Sequence, residues 1–538
     1  MKKFLTRRWN RLGMVFLAAL AYLANVKSVF DLKMHRRPPG WYLDAIPPAL
    51  STLEYGHPSD YTGLVVVRDE FRAHVRSDDA EGLNPAIQAA AQLSPGTMAR
   101  TRYLLGADDK GVVDFVKVSF LVFGQRVESF QYLYLLLLGV CVALFLIRHW
   151  DQGWPLLFPV AYLGAHLVVL PTISINPQVK GVIAMRFIPA LSLLPFLDAV
   201  ISIRPANNLG WRDFLFVGQA TVFMFIMNVR SSVLSQFAMV LVIAGGATAV
   251  FLARRRNQMR RPDRPVVPLR GVVGIWWPGL VLGIALATLT LYQKCSLAEE
   301  YRRGDEIAGR VFWHSLYSGW TFQPELARRE SLKIDDVSVM AAAGRYLNVR
   351  GRHQEFRETG LNSPGYSGIR WTPYDRIVRE MYFDTWRRDP WRCATGMFLH
   401  KPLAFLRYGA WLMGLGVDPP YTQLMEEGVA REHLGISRKM RSEGMSVRLH
   451  HPLVLVLLIT CGVLLARSLR ASDLGVGIRT LGFWVGGLSS IILVYPVPHT
   501  MGEALVASIT AVYVFLGTGC AWLTGRILNK TSARRETA

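Results

Sequence analysis

Apolar residues along this chain gather in runs instead of alternating with polar ones. Ten runs reach or approach the roughly 20 residues a helix needs to cross a bilayer. They are Met14–Phe30, Gln131–Arg148, Trp154–Thr172, Phe187–Ile203, Phe214–Asn228, Val233–Ala253, Gly274–Tyr292, Pro452–Ala466, Leu481–Tyr495 and Glu503–Leu523. Several are interrupted by Gly or Pro, as at Pro189 and Pro195, which membrane helices tolerate better than soluble ones. The pattern predicts an all-α polytopic membrane protein with about ten transmembrane helices. Two polar intervals, 31–130 and 293–451, are far too long for structureless loops and are expected to fold. Within the second, Thr395–Val417 is apolar but broken by His400, Lys401 and Arg407, and reads as a helix on the membrane surface.

The basic residues fix an orientation. The N-terminal tail holds Lys2, Lys3, Arg7, Arg8 and Arg11 with no acid. The connection after the sixth run holds Arg254, Arg255, Arg256, Arg260, Arg261, Arg264 and Arg270 against Asp263. Arg467, Arg470 and Arg479 follow the eighth run, and Arg526, Lys530, Arg534 and Arg535 end the chain. An even number of spans puts all of these in the cytoplasm, as the positive-inside rule requires. Both termini are then cytoplasmic, and 31–130 and 293–451 lie outside. The organisation predicted is a membrane module over 1–253, a basic cytoplasmic loop over 254–272 and a second membrane module over 273–538.

Composition agrees: 19% of residues are charged and the mean hydropathy is +0.24, against about 25% charged in soluble domains. The net charge of +22 sits in membrane-flanking loops, so it argues for a lipid bilayer as partner and against nucleic acid. Five cysteines exclude a disulfide scaffold; Cys295 and Cys393 both fall outside, which leaves a pairing between them open. The first run, without a small-residue cleavage site, reads as an uncleaved span. With no eukaryotic sorting signal, a bacterial cytoplasmic membrane is the expected location.

No nucleotide-binding G-x-x-x-x-G-K-[ST], no G-x-S-x-G elbow and no H-E-x-x-H or paired C-x-x-C pattern occurs, which argues against ATP-driven pumping and the common hydrolase and zinc chemistries. The outer segments instead carry acids beside aromatics. A carboxylate at the membrane face is suited to act as a general base, with Asp108 and Asp109 the first candidates, Asp31 and Asp44 behind them, and Glu54, Asp114 or Glu503 next in line. The structural alternative for Asp108 and Asp109 is a turn and helix cap. No metal-ligand cluster appears, so no cofactor is required, although outer carboxylates leave room for a divalent metal.

The stretch Asp108-Asp109-Lys110-Gly111-Val112-Val113-Asp114-Phe115, then Phe120-Leu121-Val122-Phe123-Gly124 and Val127-Glu128-Ser129, resembles the membrane-edge helix of the GT-C superfamily. In these lipid-dependent membrane glycosyltransferases, an acid-lysine-proline pattern often precedes an amphipathic helix and a phenylalanine-glycine turn. Here Gly111 stands in the proline's place. The resemblance implies a polyprenyl-phosphate-linked sugar as donor, and an extracytoplasmic glycan or lipid-linked acceptor in envelope polysaccharide synthesis. It also implies cations for the donor phosphate: Arg186 and Arg230 at outer span ends, with Lys110. A guanidinium fork matches phosphate oxygens, while a snorkelling anchor is the plainer role.

For the sugar or acceptor, the aromatic run Val311–Trp320 offers Trp313, His314 and Tyr317, whose rings suit the C–H faces of sugars. His499 and Glu503, four residues apart, add a candidate pair or a helix cap. Asp375 reads as the cap of a helix that follows the 364–374 loop, and Asp198 as lying near the cytoplasmic end beside Arg204. Two other functions fit the same organisation: a polymerase or ligase of lipid-linked glycans, and a transporter or flippase. The lack of an internal repeat and the crowding of charge at outer edges argue against transport.

Overall fold

The computed structural model describes residues 2–31, 46, 49–50, 52–53, 84–85, 87–89, 111–175, 188–206, 208–230, 233–260, 268–296, 312–333, 336–361, 369–401, 403, 452–468, 477 and 501–536. Among the described residues there is no strand. Five helices among the described residues are long and apolar enough to cross a membrane: α1 (Lys2–Asp31), α3 (Glu128–His149), α6 (Trp211–Val229), α7 (Leu234–Met259) and α8 (Gly271–Ser296). The membrane-edge helix α2 (Gly111–Phe123) precedes α3. Shorter apolar stretches cover Trp154–Val168, Ile188–Ser202 and Val456–Arg467. The first two each begin in a 3₁₀ turn (Trp154–Leu156 and Ile188–Ser192) and continue into α4 (Leu157–Ile175) and α5 (Leu193–Ser202), and the third lies in α15 (Pro452–Ser468). The last helix, α16, runs over Met501–Glu536. This is a helical membrane protein. The expected run Leu481–Tyr495 lies outside the described residues.

One apolar cluster extends through these helices from Met14 to Ala521 and includes Phe115, Phe130, Tyr134, Phe145 and Tyr162, all fully buried. Lipid supplies no hydrogen bonds, so polar side chains inside the bundle bond to neighbouring helices. Tyr22 Oη donates to the Leu135 carbonyl at 2.8 Å, and Asn25 Nδ2 to that of Leu163 at 3.0 Å. Gln219 Nε2 donates to the Cys141 carbonyl at 2.8 Å, tying α6 to α3.

At one end of the bundle the fully buried Asp198 of α5 forms an ion pair with Arg148 and meets His149 Nε2 at 2.7 Å, both on the last turn of α3. Arg148 continues outward, donating from Nη2 to Ser202 Oγ at 2.9 Å and from Nε to the Arg212 carbonyl at 2.8 Å. Asp198 was expected beside Arg204. Arg204 instead approaches Asp213 at 3.5 Å with its side chain more than half exposed. The physical reason is solvation: a cation that stays in water gains little by following a carboxylate into the bundle, whereas Arg148 is buried with it.

Residues 312–401 build a second core. They contain α9 (Phe312–Ser318), a 3₁₀ turn (Gly319–Phe322), α10 (Pro324–Glu330), α11 (Asp336–Val349), α12 (His353–Glu358), α13 (Trp371–Arg388), α14 (Pro390–Thr395) and a π-helical turn (Gly396–His400). Tyr317, Trp320, Tyr374, Ile377, Val378 and Met381 are buried together, and Trp320 stacks on Tyr382 with ring centres 5.1 Å apart. Phe322 leaves this core and is buried in the apolar cluster of the bundle. Cys393 is buried in the domain and Cys295 is exposed on α8, both as free thiols, so the pairing left open by the sequence is not made.

The Asp198 contact gives a direct stability test. Asp198→Ala leaves Arg148 charged and buried without its carboxylate, and should cost about 3–5 kcal/mol. This would appear as a lowered melting temperature of the purified chain in detergent. The double variant Asp198→Leu with Arg148→Met should recover most of the loss; equal losses in single and double variants would refute the ion pair as the cause.

Candidate functional site

At the opposite end of the bundle, α2 lies across the tips of two membrane helices. Its inner face (Val112, Val113, Phe115, Val116, Ser119 and Phe120) is buried, while Leu121 and Val122 are exposed. It stops at Gly124, whose φ of +87° is a left-handed conformation that glycine adopts without steric cost. The chain then enters α3, where Asn84 caps the start: Val127 N donates to Asn84 Oδ1 at 3.0 Å, and Asn84 Nδ2 to Glu128 at 3.1 Å.

The first residue of α2 meets α6 backbone to backbone. A Cβ on Gly111 would lie 2.1 Å from the Asn228 carbonyl carbon and 2.3 Å from Val229 N. The glycine in the proline's place is therefore required by close approach. Less than one turn further on, Asp114 receives a hydrogen bond from Asn228 Nδ2 at 2.8 Å on Oδ2, and one from Tyr292 Oη of α8 at 3.1 Å on Oδ1. Lys117 stands 3.3 Å from Oδ1, donates to Tyr292 Oη at 2.6 Å, and lies over the Tyr292 ring at 5.4 Å. Burial would lower the pKa of Lys117, but its bond to Tyr292 and the charge of Asp114 outweigh that and hold it above its ordinary value, so the amine is a cation. The side chains of Asp114 and Lys117 remain 18% and 17% exposed. Arg230, two residues beyond Asn228, ends α6 with its N–H on the Ile226 carbonyl at 2.8 Å and is itself buried.

This cluster brings a carboxylate, an amine, an amide and a phenol to one point from three helices. Oδ2 carries one hydrogen bond among the described residues, so a lone pair is left for an incoming O–H. The exposed edge of the pair gives it access to a polar group arriving at the membrane boundary.

The aromatic run of the second segment has a different setting. His314 and Tyr317 are buried, and Trp313 is half-buried. His314 Nδ1 is 2.6 Å from Tyr374 Oη, Tyr317 Oη donates to Glu330 at 3.3 Å, and Trp313 packs on Tyr382 and Phe383. Asp375 is a cap, but of the neighbouring helix. It lies inside α13, and its Oδ1 accepts from Trp313 N at 3.1 Å and His314 N at 3.4 Å at the start of α9. Desolvation raises its pKa above the ordinary carboxylate value.

Of the leading candidates read from sequence, Arg230, Trp313, His314 and Tyr317 have described side chains, and the first does not share a domain with the other three. Asp108, Asp109, Asp44, Glu54, Lys110, Arg186 and His499 lie outside the described residues. Asp31 ends α1 and Glu503 sits in the first turn of α16, with side chains outside the described set. Sequence reasoning named Asp114 as a reserve and missed Lys117, Asn228 and Tyr292. Their available signal was weak: Lys117 follows Asp114 at i+3, Asn228 flanks Arg230, and Tyr292 ends a span as any belt aromatic would. Among the described residues, no three His, Cys, Asp or Glu converge as metal ligands. No protein-family model, curated protein or solved structure matches the chain.

Two substitutions test this geometry. Gly111→Ala drives a methyl group into the α6 backbone and should destabilise the purified protein by about 1–3 kcal/mol, whereas Asn228→Ala leaves space and should cost about 1 kcal/mol. The reverse order in thermal melts would mean that α2 does not touch α6 at Gly111. Elsewhere, Lys401 is buried with its Nζ against Gly319, and burial pushes its pKa down to about 7. The unfolded chain then binds more protons than the native one between about pH 7 and the ordinary lysine value of 10.5, so stability rises with pH over that window. Lys401→Met should raise the melting temperature by a few degrees at pH 7, and the gap should close towards pH 10. A pH-independent gap would place the amine in water.

Proposed function

We propose that this protein is a membrane glycosyltransferase that moves a sugar from a polyprenyl-phosphate donor to a glycan or lipid-linked acceptor outside a bacterial cytoplasmic membrane. What supports this reading is one observation: the Asp114 carboxylate, held at the tips of the membrane helices by Asn228 and Tyr292 with Lys117 beside it. Such a donor keeps its tail in the bilayer and its phosphate at the boundary, so the transferring groups must sit where membrane helices end. Asp114 is on a helix that begins there.

The chemistry asked of the site is modest. The acceptor hydroxyl oxygen attacks the anomeric carbon and forms the new C–O bond. The bond from that carbon to the phosphate oxygen breaks, and polyprenyl phosphate leaves with the electron pair. The hydroxyl proton passes to Asp114, at the lone pair left on Oδ2. Lys117, a cation at this depth, offsets the charge of the departing phosphate, and Arg230 is the second cation near α6's tip. Lys117 also bonds to Tyr292, so the phenol is fixed as a donor to the carboxylate and cannot compete for the substrate's proton.

Transfer by the purified chain in nanodiscs from short-chain polyprenyl-phosphate monosaccharides is the direct test. Asp114→Asn should lower turnover by at least about 100-fold with donor binding retained. Asp108→Asn and Asp109→Asn are measured beside it. Activity in all three within about tenfold of wild type would remove these carboxylates from the role of base. A wild-type chain that moves lipid-linked sugar between leaflets without transferring it would replace this reading by transport.

A further inference from the structure

A helical stretch from Pro390 to Lys401 closes the 312–401 domain. Its inner side is settled: Cys393, Gly396 and Lys401 are buried, and a Cβ on Gly396 would sit 3.0 Å from the Gln323 side chain. Its outer side carries Trp391 (76% exposed), Phe398 (65%) and Leu399 (52%), and Leu403 just beyond is also exposed. Large apolar groups left outward on a helix whose other face is packed call for an apolar phase.

Three observations say which one. The Gly396–His400 turn packs on the Gly319–Phe322 turn, and Phe322 is buried in the apolar cluster of the membrane bundle; the outward face therefore begins beside the bundle. The helix that leads from the bundle towards the domain, α8, finishes at the Asp114 end, with Tyr292 on Asp114. Finally, Arg387, Arg388 and Arg392 are exposed beside Trp391, each paired with a carboxylate of the same domain: Asp384, Glu330, and Asp389 with Glu325. An apolar face rimmed by exposed ion pairs matches the boundary where polar head groups meet acyl chains.

We propose that Trp391, Phe398, Leu399 and Leu403 seat the domain in the head-group boundary of the bilayer at the Asp114 end, so that the domain is a membrane-held cap and not a freely standing one. This rests on the chain being a membrane protein and is independent of the transferase reading.

The full chain in nanodiscs of phosphatidylethanolamine and phosphatidylglycerol, with Cys295→Ser to remove the exposed thiol, tests it. Spin labels go on Trp391→Cys, Phe398→Cys, Leu399→Cys and Leu403→Cys one at a time, with Glu358→Cys on α12 as the control. Power saturation with oxygen and a water-soluble nickel chelate then reads depth. The labels on the four face positions should collide more with oxygen than with nickel, at depths of about 5–10 Å, and the control should show the reverse. Nickel collisions dominating at the four positions would put the face in water and overturn the proposal. Exclusion of both reagents would overturn it as well, because protein then covers the face, either residues 404–451 or a second copy. The depth signal of the Leu399→Cys and Leu403→Cys labels should also vanish in the doubly changed Trp391→Ser, Phe398→Ser background; its persistence there would mean that other parts of the domain hold it at the membrane.

Discussion

A bilayer has no water to give, and the structure is organised around that lack. Polar side chains carried into the helix bundle take a carbonyl of their own preceding turn, as Ser119 and Thr510 do, or of a neighbouring helix, or gather at an end. Tyr22, Asn25 and Gln219 answer by donating to carbonyls of neighbouring helices. These bonds do more than satisfy single groups, since each fixes the rotation of one helix against the next. The two ends of the bundle then resolve the same constraint differently. At one end Asp198, Arg148 and His149 are sealed against water and against each other. At the other, Asp114 and Lys117 keep an exposed edge. A closed ion pair serves packing; an open one of similar composition leaves polar atoms facing outward.

The 312–401 domain follows a different rule. It forms its own aromatic core and surrounds it with arginine-carboxylate pairs such as Arg352 with Glu380 at 2.7 Å and Arg350 with Asp384 at 2.8 Å. Those pairs are half-exposed and contribute little to stability each. Burial of Tyr317, Trp320 and Tyr374 carries the fold of this domain. His314 and Tyr317, attractive as sugar contacts in the sequence, are spent on that core.

How much was legible beforehand follows from range. Apolar runs are a local property, so α3, α6 and α8 could be read within a few residues of their ends. By contrast, α1 starts at Lys2, well ahead of its run at Met14, and α7 continues to Met259 past the end of its run at Ala253, through charged turns that carry no apolar signal. The turn at Phe123-Gly124 was equally local. Pairings were not. Asp198 lies 50 residues from Arg148 but six from Arg204, and sequence proximity pointed to the wrong cation. Asp375 was read as a cap because aspartate is common there, yet which helix it caps depends on α9 packing beside α13. Gly111 looked like a departure from a motif, when its missing Cβ is what admits the Asn228 backbone. The acids at 108 and 109 drew attention by being adjacent. Asp114 stood a few residues on, and nothing in its neighbourhood announced an asparagine 114 residues away or a tyrosine 178 residues away.

Those separations have a consequence for the order in which the protein is made. Asp114 leaves the ribosome long before its partners, and at roughly 5–20 residues per second Tyr292 follows some ten to thirty-five seconds later. Until α6 has been made, α2 has neither that helix's backbone to rest on nor the Asn228 amide for its carboxylate, and the Tyr292 hydroxyl comes later still. Only a ribosome that has passed α8 holds a complete cluster. A nascent chain stalled before α6 carries the carboxylate and the amine but neither the asparagine nor the tyrosine that orients them, so the cluster is completed in two late steps of synthesis.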